Sequence, residues 1–268
     1  MIEPIIRWVG GKRRLLSQIL PHVPDYVGRY HEPFLGGAAM LLTQPHKKAF
    51  ANDVNHELIN FYEQARSHPD DVIALYNSFE FSERSYYEIR SWDRHNDFLN
   101  RSRLERAGRF LFLNRTSFQG MWRVNSKKGY NNSPWGKKKT LPPIHAGMFD
   151  EFVLQTKNVE FSSLDFERAL EKVEPNDFVY LDPPYVPVTA TAGFTSYALN
   201  GFDDHEKLRN VCVDLDSRGI KFILSNSDCQ KVRDLYERFN VIMVDVTRVI
   251  AAKRSSRGKT TEVLVKNF

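Results

Sequence analysis

The sequence predicts an α/β fold, a doubly wound and largely parallel sheet that carries an inserted, mainly helical lobe. Short apolar runs that end in glycine, proline or an acid alternate with stretches of helical period, the pattern of βαβ units. Residues 57 to about 113 instead hold helical spacing with no strand between. A chain of 268 residues is long enough for one α/β core and one smaller lobe.

In order, residues 4–8 read as a short N-terminal strand, and Gly10-Gly11 opens a helix carrying Lys12, Leu15, Leu16, Ile19 and Leu20. Gly10-Gly11-Lys12 is not a phosphate loop, because the longer glycine spacing is missing and Arg13 stands where Ser or Thr is needed. Residues 29–33 read as a strand running into Pro33-Phe34-Leu35-Gly36-Gly37, then a helix over 38–43 and a second strand over 48–52 that ends at Asp53. Asp53 follows Gly36 by 17 residues, close to the spacing of about 20 at which a carboxylate on the second strand binds ribose hydroxyls. A diphosphate cofactor would need G-x-G-x-x-G, which is absent. The compact turn suits a nucleoside cofactor without phosphates, such as S-adenosylmethionine, although an ordinary βαβ turn with a capping Asp reads the same way.

Apolar spacing at Leu58, Phe61, Tyr62 and Ala65, and at Val72, Leu75, Tyr76 and Phe79, predicts two helices, with a third over 101–113. Residues 114–143, rich in Gly, Asn and Pro, predict loops or a hairpin. The division expected is therefore 1–56 and 146–268 for the catalytic core and 57–145 for the insert. The core resumes at 152–155 and 159–161, passes through a helix over 203–217 and a strand over 221–226, and closes with strands over 241–250 and 262–266 around a basic turn at 253–259.

The most telling segment is Asp182-Pro183-Pro184-Tyr185, which follows the apolar run Phe178-Val179-Tyr180-Leu181 where a buried strand should end. The exocyclic amine of a nucleobase is a weak nucleophile because its lone pair is conjugated into the ring. The Asp182 carboxylate can accept one amino N–H, the carbonyl of Pro183 the other, and Tyr185 offers a face for stacking. A strand stopped by Pro-Pro with a capping Asp is the plain alternative.

Composition narrows the partners. The net charge is +5, yet no acid lies between Glu105 and Asp150 while nine basic residues do (Arg106, Arg109, Arg115, Arg123, Lys127, Lys128, Lys137, Lys138 and Lys139), leaving −4 for the remainder. Interleaved with Phe118, Trp122, Tyr130 and Trp135, that charge is the expected footprint for a polyanion with stackable bases. No apolar run approaches the roughly 18 residues of a membrane span, and no signal-peptide core precedes Arg7 and Lys12, so a cytoplasmic protein is expected. Cys212 and Cys229 stand in no metal or redox spacing, and no metal is expected.

Arg7-Trp8-Val9-Gly10-Gly11-Lys12, Glu32-Pro33-Phe34-Leu35-Gly36-Gly37 and Asp182-Pro183-Pro184-Tyr185, in that order, resemble the Dam-type, D12-class family of DNA adenine-N6 methyltransferases. Asn52-Asp53, Leu224-Ser225-Asn226-Ser227-Asp228 and Phe194-Thr195-Ser196-Tyr197 extend the likeness over nearly the whole chain. The resemblance implies a Rossmann-like methyltransferase sheet, S-adenosylmethionine as cofactor, and duplex DNA as partner. It implies that Trp8, Lys12, Asp53 and Asp182 contact the cofactor, that Phe34 and Asp165 line the same pocket, and that Asp182, Pro183 and Tyr185 carry catalysis. Asn114 to Arg123 looks like the family's recognition stretch, with Arg115 in it. By the same likeness Arg123 reads guanine, Phe118, Gln119, Met121 and Pro134 contact or wedge bases, Lys137 holds a phosphate or base, and Arg7 faces the outer guanine. The match suggests the palindrome GATC, a monomeric enzyme, and a companion restriction nuclease as a possible partner. Competing readings are methylation of cytosine N4, of RNA adenine or of a glutamine amide, and a catalytically silent DNA-binding protein.

Overall fold

In the computed structural model, which describes residues 3–26, 28–125, 127–187, 202–247 and 259–268, five strands pair in parallel. They are Tyr30–Glu32 (β1), Ala49–Asn52 (β2), Val159–Ser162 (β3), Phe178–Leu181 (β4) and Lys221–Ser227 (β5). Asn240–Thr247 (β6) and Lys259–Lys266 (β7) close the sheet as antiparallel strands, giving the order β3-β2-β1-β4-β5-β7-β6. The helices are Leu16–Ile19 (α1), His56–Ser67 (α2), Pro69–Ser78 (α3), Glu83–Arg90 (α4), Arg103–Thr116 (α5), Ala146–Thr156 (α6), Phe166–Leu170 (α7), His205–Ser217 (α8) and Gln230–Leu235 (α9).

Double winding is visible in single strands. All four β4 residues are buried, with Phe178 and Tyr180 in one hydrophobic cluster and Val179 and Leu181 in the other. That is the period-2 alternation of a strand covered on both faces. The first cluster joins the sheet to α2, α5 and α6 through Phe61, Tyr62, Phe110 and Phe152, and the second packs α7 and α8 through Phe166, Leu208 and Cys212. Strand order reverses between β1 and β4, so the loops leaving their C-terminal ends open a crevice, the place where such sheets bind ligands.

Local chemistry sets the helix ends. Asn55 caps α2 by accepting from the amides of Glu57 and Leu58, and Ser102 with Glu105 forms a capping box on α5. Residues 57–116 are helical through α2 to α5, as the spacing over 57–113 predicts. Beyond α5 the isolated bridges Ser117↔Trp135 and Val124↔Asn131 form a small hairpin.

Three expectations need correction. Residues 4–8 make no strand: Ile5 and Ile6 are buried, but the Arg7 amide donates to Asn114 Oδ1 at 3.0 Å and its carbonyl accepts from Asn114 Nδ2, so a side chain takes the ladder's part. The helix expected over 38–43 shrinks to a 3-10 turn at Leu41–Thr43, because Ala38 adopts φ 56°. Residues 152–155 belong to α6. The segments 194–197 and 253–258 lie outside the described residues.

Glu32, at the end of β1, is 2% exposed and accepts a hydrogen bond from the Tyr30 hydroxyl at 2.8 Å. Burial pushes its carboxyl from 4.5 up to about 8, with Asp182 adding to the rise. The folded protein thus keeps a proton that the unfolded chain loses, and this contribution to stability is full below about pH 4.5 and disappears as pH rises through about 8. Urea midpoints should therefore fall between pH 5 and roughly 9, and Glu32→Gln should flatten that decline. Parallel pH profiles for the two proteins would contradict this assignment.

Candidate functional site

The loops after β1, β2 and β3 are tied together by one buried amide side chain. Asn52 Nδ2 donates to the carbonyls of Pro33 and Leu164, while its Oδ1 accepts from the Leu164 amide and the Ser162 hydroxyl. Beside it, Asp53 Oδ2 accepts from the Gly36 amide at 3.0 Å and Oδ1 from the Asn55 amide at 2.9 Å. Burial raises the Asp53 carboxyl, opposed by these two amides. A carboxylate has about four acceptor positions, so two remain for a ligand diol.

Gly36 has φ 46°, and a Cβ there would come within 2.8 Å of the Trp8 ring. The turn is shaped to receive Trp8, and the Tyr62 hydroxyl holds it from below by donating to the Gly36 carbonyl. Phe34 is half-buried against Phe166 and Phe202. Asp165 is exposed at the rim, caps α7 through the Glu167 amide, and faces Lys207 Nζ at 3.4 Å.

Lys12 is 5% exposed, and its ammonium converges on the fourth loop. Nζ lies 2.6 Å from Asp182 Oδ1, donates to the Gly10 carbonyl, and sits 4.6 Å from the centre of the Tyr185 ring. The Ser225 hydroxyl donates to the same Oδ1 at 2.9 Å, and Oδ2 takes no hydrogen bond among the described residues. Tyr185 donates to Glu262 Oε2 at 2.7 Å. The next residue, Val186, gives its amide to Asn226 Oδ1 and its carbonyl accepts from Ser227 Oγ. Pro183 is buried. Sequence reasoning missed the roles of Ser225, Asn226 and Glu262; only the first two fell in a motif that could have signalled them.

The remaining predicted residues collect around the end of α5. Asn114 binds the Arg7 backbone and the Gly120 carbonyl, and a Cβ on Gly120, at φ 71°, would collide with the Arg7 side chain. Gln119 is also left-handed, at φ 58°, and this double reversal leaves Phe118 46% exposed with Gln119 beside it. Phe118 N donates to the Pro134 carbonyl, which also accepts from Tyr86. Met121 is half-buried, its carbonyl accepting from Ser117 Oγ. Arg123 is half-buried, with Nε on Asn132 Oδ1 at 2.7 Å and Nη2 on the Asn132 carbonyl at 3.1 Å. Lys137 is exposed with φ 50°. Burial, with Arg7 and Arg115 nearby, lowers the Lys138 ammonium.

The nine basic residues do not form one charged face. Arg109 is fully buried, bound to Asp93 at 2.9 Å and to the carbonyls of Ile89 and Arg90, and Arg106 faces Glu57 at 3.5 Å. The segment lacks acids in sequence but receives them in space. Arg115 is half-buried, with Nη2 on the Pro143 carbonyl.

Comparison with known proteins identifies the family. Residues 8–250 match the family described as D12 class N6 adenine-specific DNA methyltransferase. The type II methyltransferase M1.LlaDCHI of Lactococcus lactis is 38% identical, covering 100% of this chain and 96% of that protein. The type II methyltransferase M.MjaIII of Methanocaldococcus jannaschii is 35% identical over 100% of this chain and 99% of its own length. The DNA adenine methylase of Vibrio cholerae is 31% identical over 97% and 94%. With a full-length match of this kind and the motif loops meeting at the sheet's switch point, the chain belongs to the D12 class of N6 adenine-specific DNA methyltransferases.

Proposed function

We propose that the chain transfers a methyl group from S-adenosylmethionine to the N6 amine of an adenine flipped out of duplex DNA, within GATC. The observation that carries this reading is the Asp182 carboxylate, fixed through Oδ1 by Lys12 and Ser225 while Oδ2 remains an acceptor beside the Tyr185 ring.

The residues present fit the cofactor. Asp53 keeps acceptor positions for a ribose diol, Lys12 is a cation for a carboxylate, Trp8 and Phe34 offer aromatic surface, and Asp165 stands at the rim. The bound cofactor supplies an electrophilic methyl on a sulfonium. The chain's own part is to grip the amine: Asp182 Oδ2 accepts one amino hydrogen and the Pro183 carbonyl the other, which turns the nitrogen lone pair out of conjugation. Lys12 covers one face of Tyr185 at 4.6 Å, and the opposite face is assigned to the extruded base. Flipping costs a few kcal/mol, offset by that stacking and by the two hydrogen bonds. No covalent enzyme intermediate is needed, and Cys212 is buried with its thiol raised by desolvation, unsuited to attack.

The insert 57–145 is assigned to target recognition. Asn132 already holds Nε and one N–H of Nη2 of Arg123, which leaves Nη1 and the second N–H of Nη2 for guanine O6 and N7. Arg7, Phe118, Gln119, Met121 and Pro134 are assigned to base contact, and Lys137 to phosphate. GATC is favoured by the likeness to proteins named DNA adenine methylase; the type II relatives favour a companion nuclease.

Asp182→Ala should retain DNA binding and lose turnover by on the order of a hundredfold or more, with Asp182→Asn as a control of similar shape. Methyl transfer from labelled S-adenosylmethionine, with nucleoside mass spectrometry of the product, measures this; N4-methylcytosine in place of N6-methyladenine would sink the reading. Arg123→Ala should cost about 1–3 kcal/mol at its guanine and relax selection there, whereas Lys137→Ala should weaken all sequences alike. Rates on single-base variants of GATC separate the two effects.

A further inference from the structure

We propose that Glu262 is the positioning residue that sets the tilt of the Tyr185 ring by fixing its far end. The proposal rests on the reading of Tyr185 as the surface on which the target base stacks. Glu262 lies on β7 directly opposite Ser227 of β5, at the end of the sheet where β4 delivers its loop. It shares a face with Leu264, which belongs to the cluster holding Tyr180 and Ile223, whereas Val263 and Val265 pack the other side. From there its Oε2 accepts the Tyr185 hydroxyl at 2.7 Å.

Packing alone gives no reason for that contact. Phe fills the volume of Tyr without bringing a phenol beside a half-buried carboxylate. Desolvation, with Asp182 and Glu262 close by, pushes the Tyr185 phenol far up, so it stays a donor at any working pH. The hydrogen bond fixes the one coordinate that the other contacts leave free. Val186 is pinned at its amide and carbonyl by Asn226 and Ser227, Asp182 is pinned by Lys12 and Ser225, and the far end of the Tyr185 ring is pinned by Glu262. A ring held at both ends is a platform of defined tilt, and stacking depends on tilt.

The test uses the full chain, S-adenosylmethionine and a GATC duplex with 2-aminopurine at the target position, read by fluorescence, together with kcat at saturating normal duplex. Tyr185→Phe keeps the ring and loses the donor; Glu262→Ala loses the acceptor. Each should lower kcat about tenfold, shift 2-aminopurine emission in the same direction, and leave the DNA Kd within about twofold. The double variant should match either single variant, because both break one bond. Glu262→Gln keeps an acceptor oxygen and should recover kcat to within about threefold. A roughly hundredfold loss in the double variant, or unchanged emission in both single variants, overturns the proposal while the parent enzyme remains active on adenine. A parent chain that leaves duplex adenine unmodified overturns the functional reading and this inference with it. If Glu262→Ala does not fold, Tyr185→Phe and Glu262→Gln still decide the question.

Discussion

A buried ammonium constrains everything around it. Lys12, 5% exposed, cannot be hydrated, so it needs an anion and oriented dipoles, and it finds them in Asp182, the Gly10 carbonyl and the Tyr185 ring. This one pairing joins the start of the chain to the loop after β4, well over a hundred residues away in sequence. The residues leading to Lys12 carry the connection outward. Trp8 rests on the Gly36 turn and the Arg7 backbone is bound by Asn114, so 7–12 bridge the C-terminal end of α5, the β1 turn and the β4 loop. Removing one partner would leave the other charge in a dry setting, and for that reason the three motifs are coupled in stability as well as in position.

The hairpin beyond α5 depends on a second buried cation in the same way. Arg109 is fully enclosed and binds Asp93, whose Oδ2 also accepts the Asn131 amide at 2.7 Å. Asn131 pairs with Val124, and Asn132 holds the Arg123 guanidinium. A short hairpin with only isolated bridges has little stability of its own, so its geometry is borrowed from α5 through this chain of contacts. Tyr86 and Arg90 reinforce it from α4 by donating to the Ser133 carbonyl. Helices α4 and α5 thus act as a rigid mount for the hairpin, and Lys127, Lys128 and Lys137 of residues 117–145 stay exposed.

Much of this was legible in the sequence because period and punctuation encode it. The all-buried β4 and the proline stop after it announce a parallel strand with a loop at its C-terminal end, and the Gly36–Asp53 spacing corresponds to a real hydrogen bond between the two residues. Long-range ionic pairing was not legible. Nothing local distinguishes Arg109, buried against Asp93, from the exposed Arg103 on the same helix, and an acid-free stretch says nothing of Glu57 and Asp93 arriving from other elements. Glu262 was hidden for the same reason. It is one acid in an ordinary strand, and its meaning comes from the antiparallel insertion of β7 between β5 and β6. The irregular path of 4–8 was misread because buried isoleucines suit a strand, and only the tertiary partner Asn114 shows that no neighbouring strand is there.

Charge balance at the switch point follows from these contacts. Tyr62 senses both Asp53 and Glu32, Tyr185 senses both Asp182 and Glu262, and Glu32 senses Asp182 and Lys12, so these groups form one electrostatic neighbourhood. Were all four carboxyls ionised, one ammonium would face four negative charges. Burial resolves part of the conflict by keeping Glu32 protonated up to about pH 8, which spares Asp182 a like-charged neighbour and leaves Lys12 to pair with it alone. The carboxyl groups of Asp53 and Glu262 stand near that pair as an acidic rim. On the proposed reading this rim attracts a sulfonium and holds its neutral thioether product less tightly, so the electrostatics that assemble the loops also favour exchange of spent cofactor for fresh.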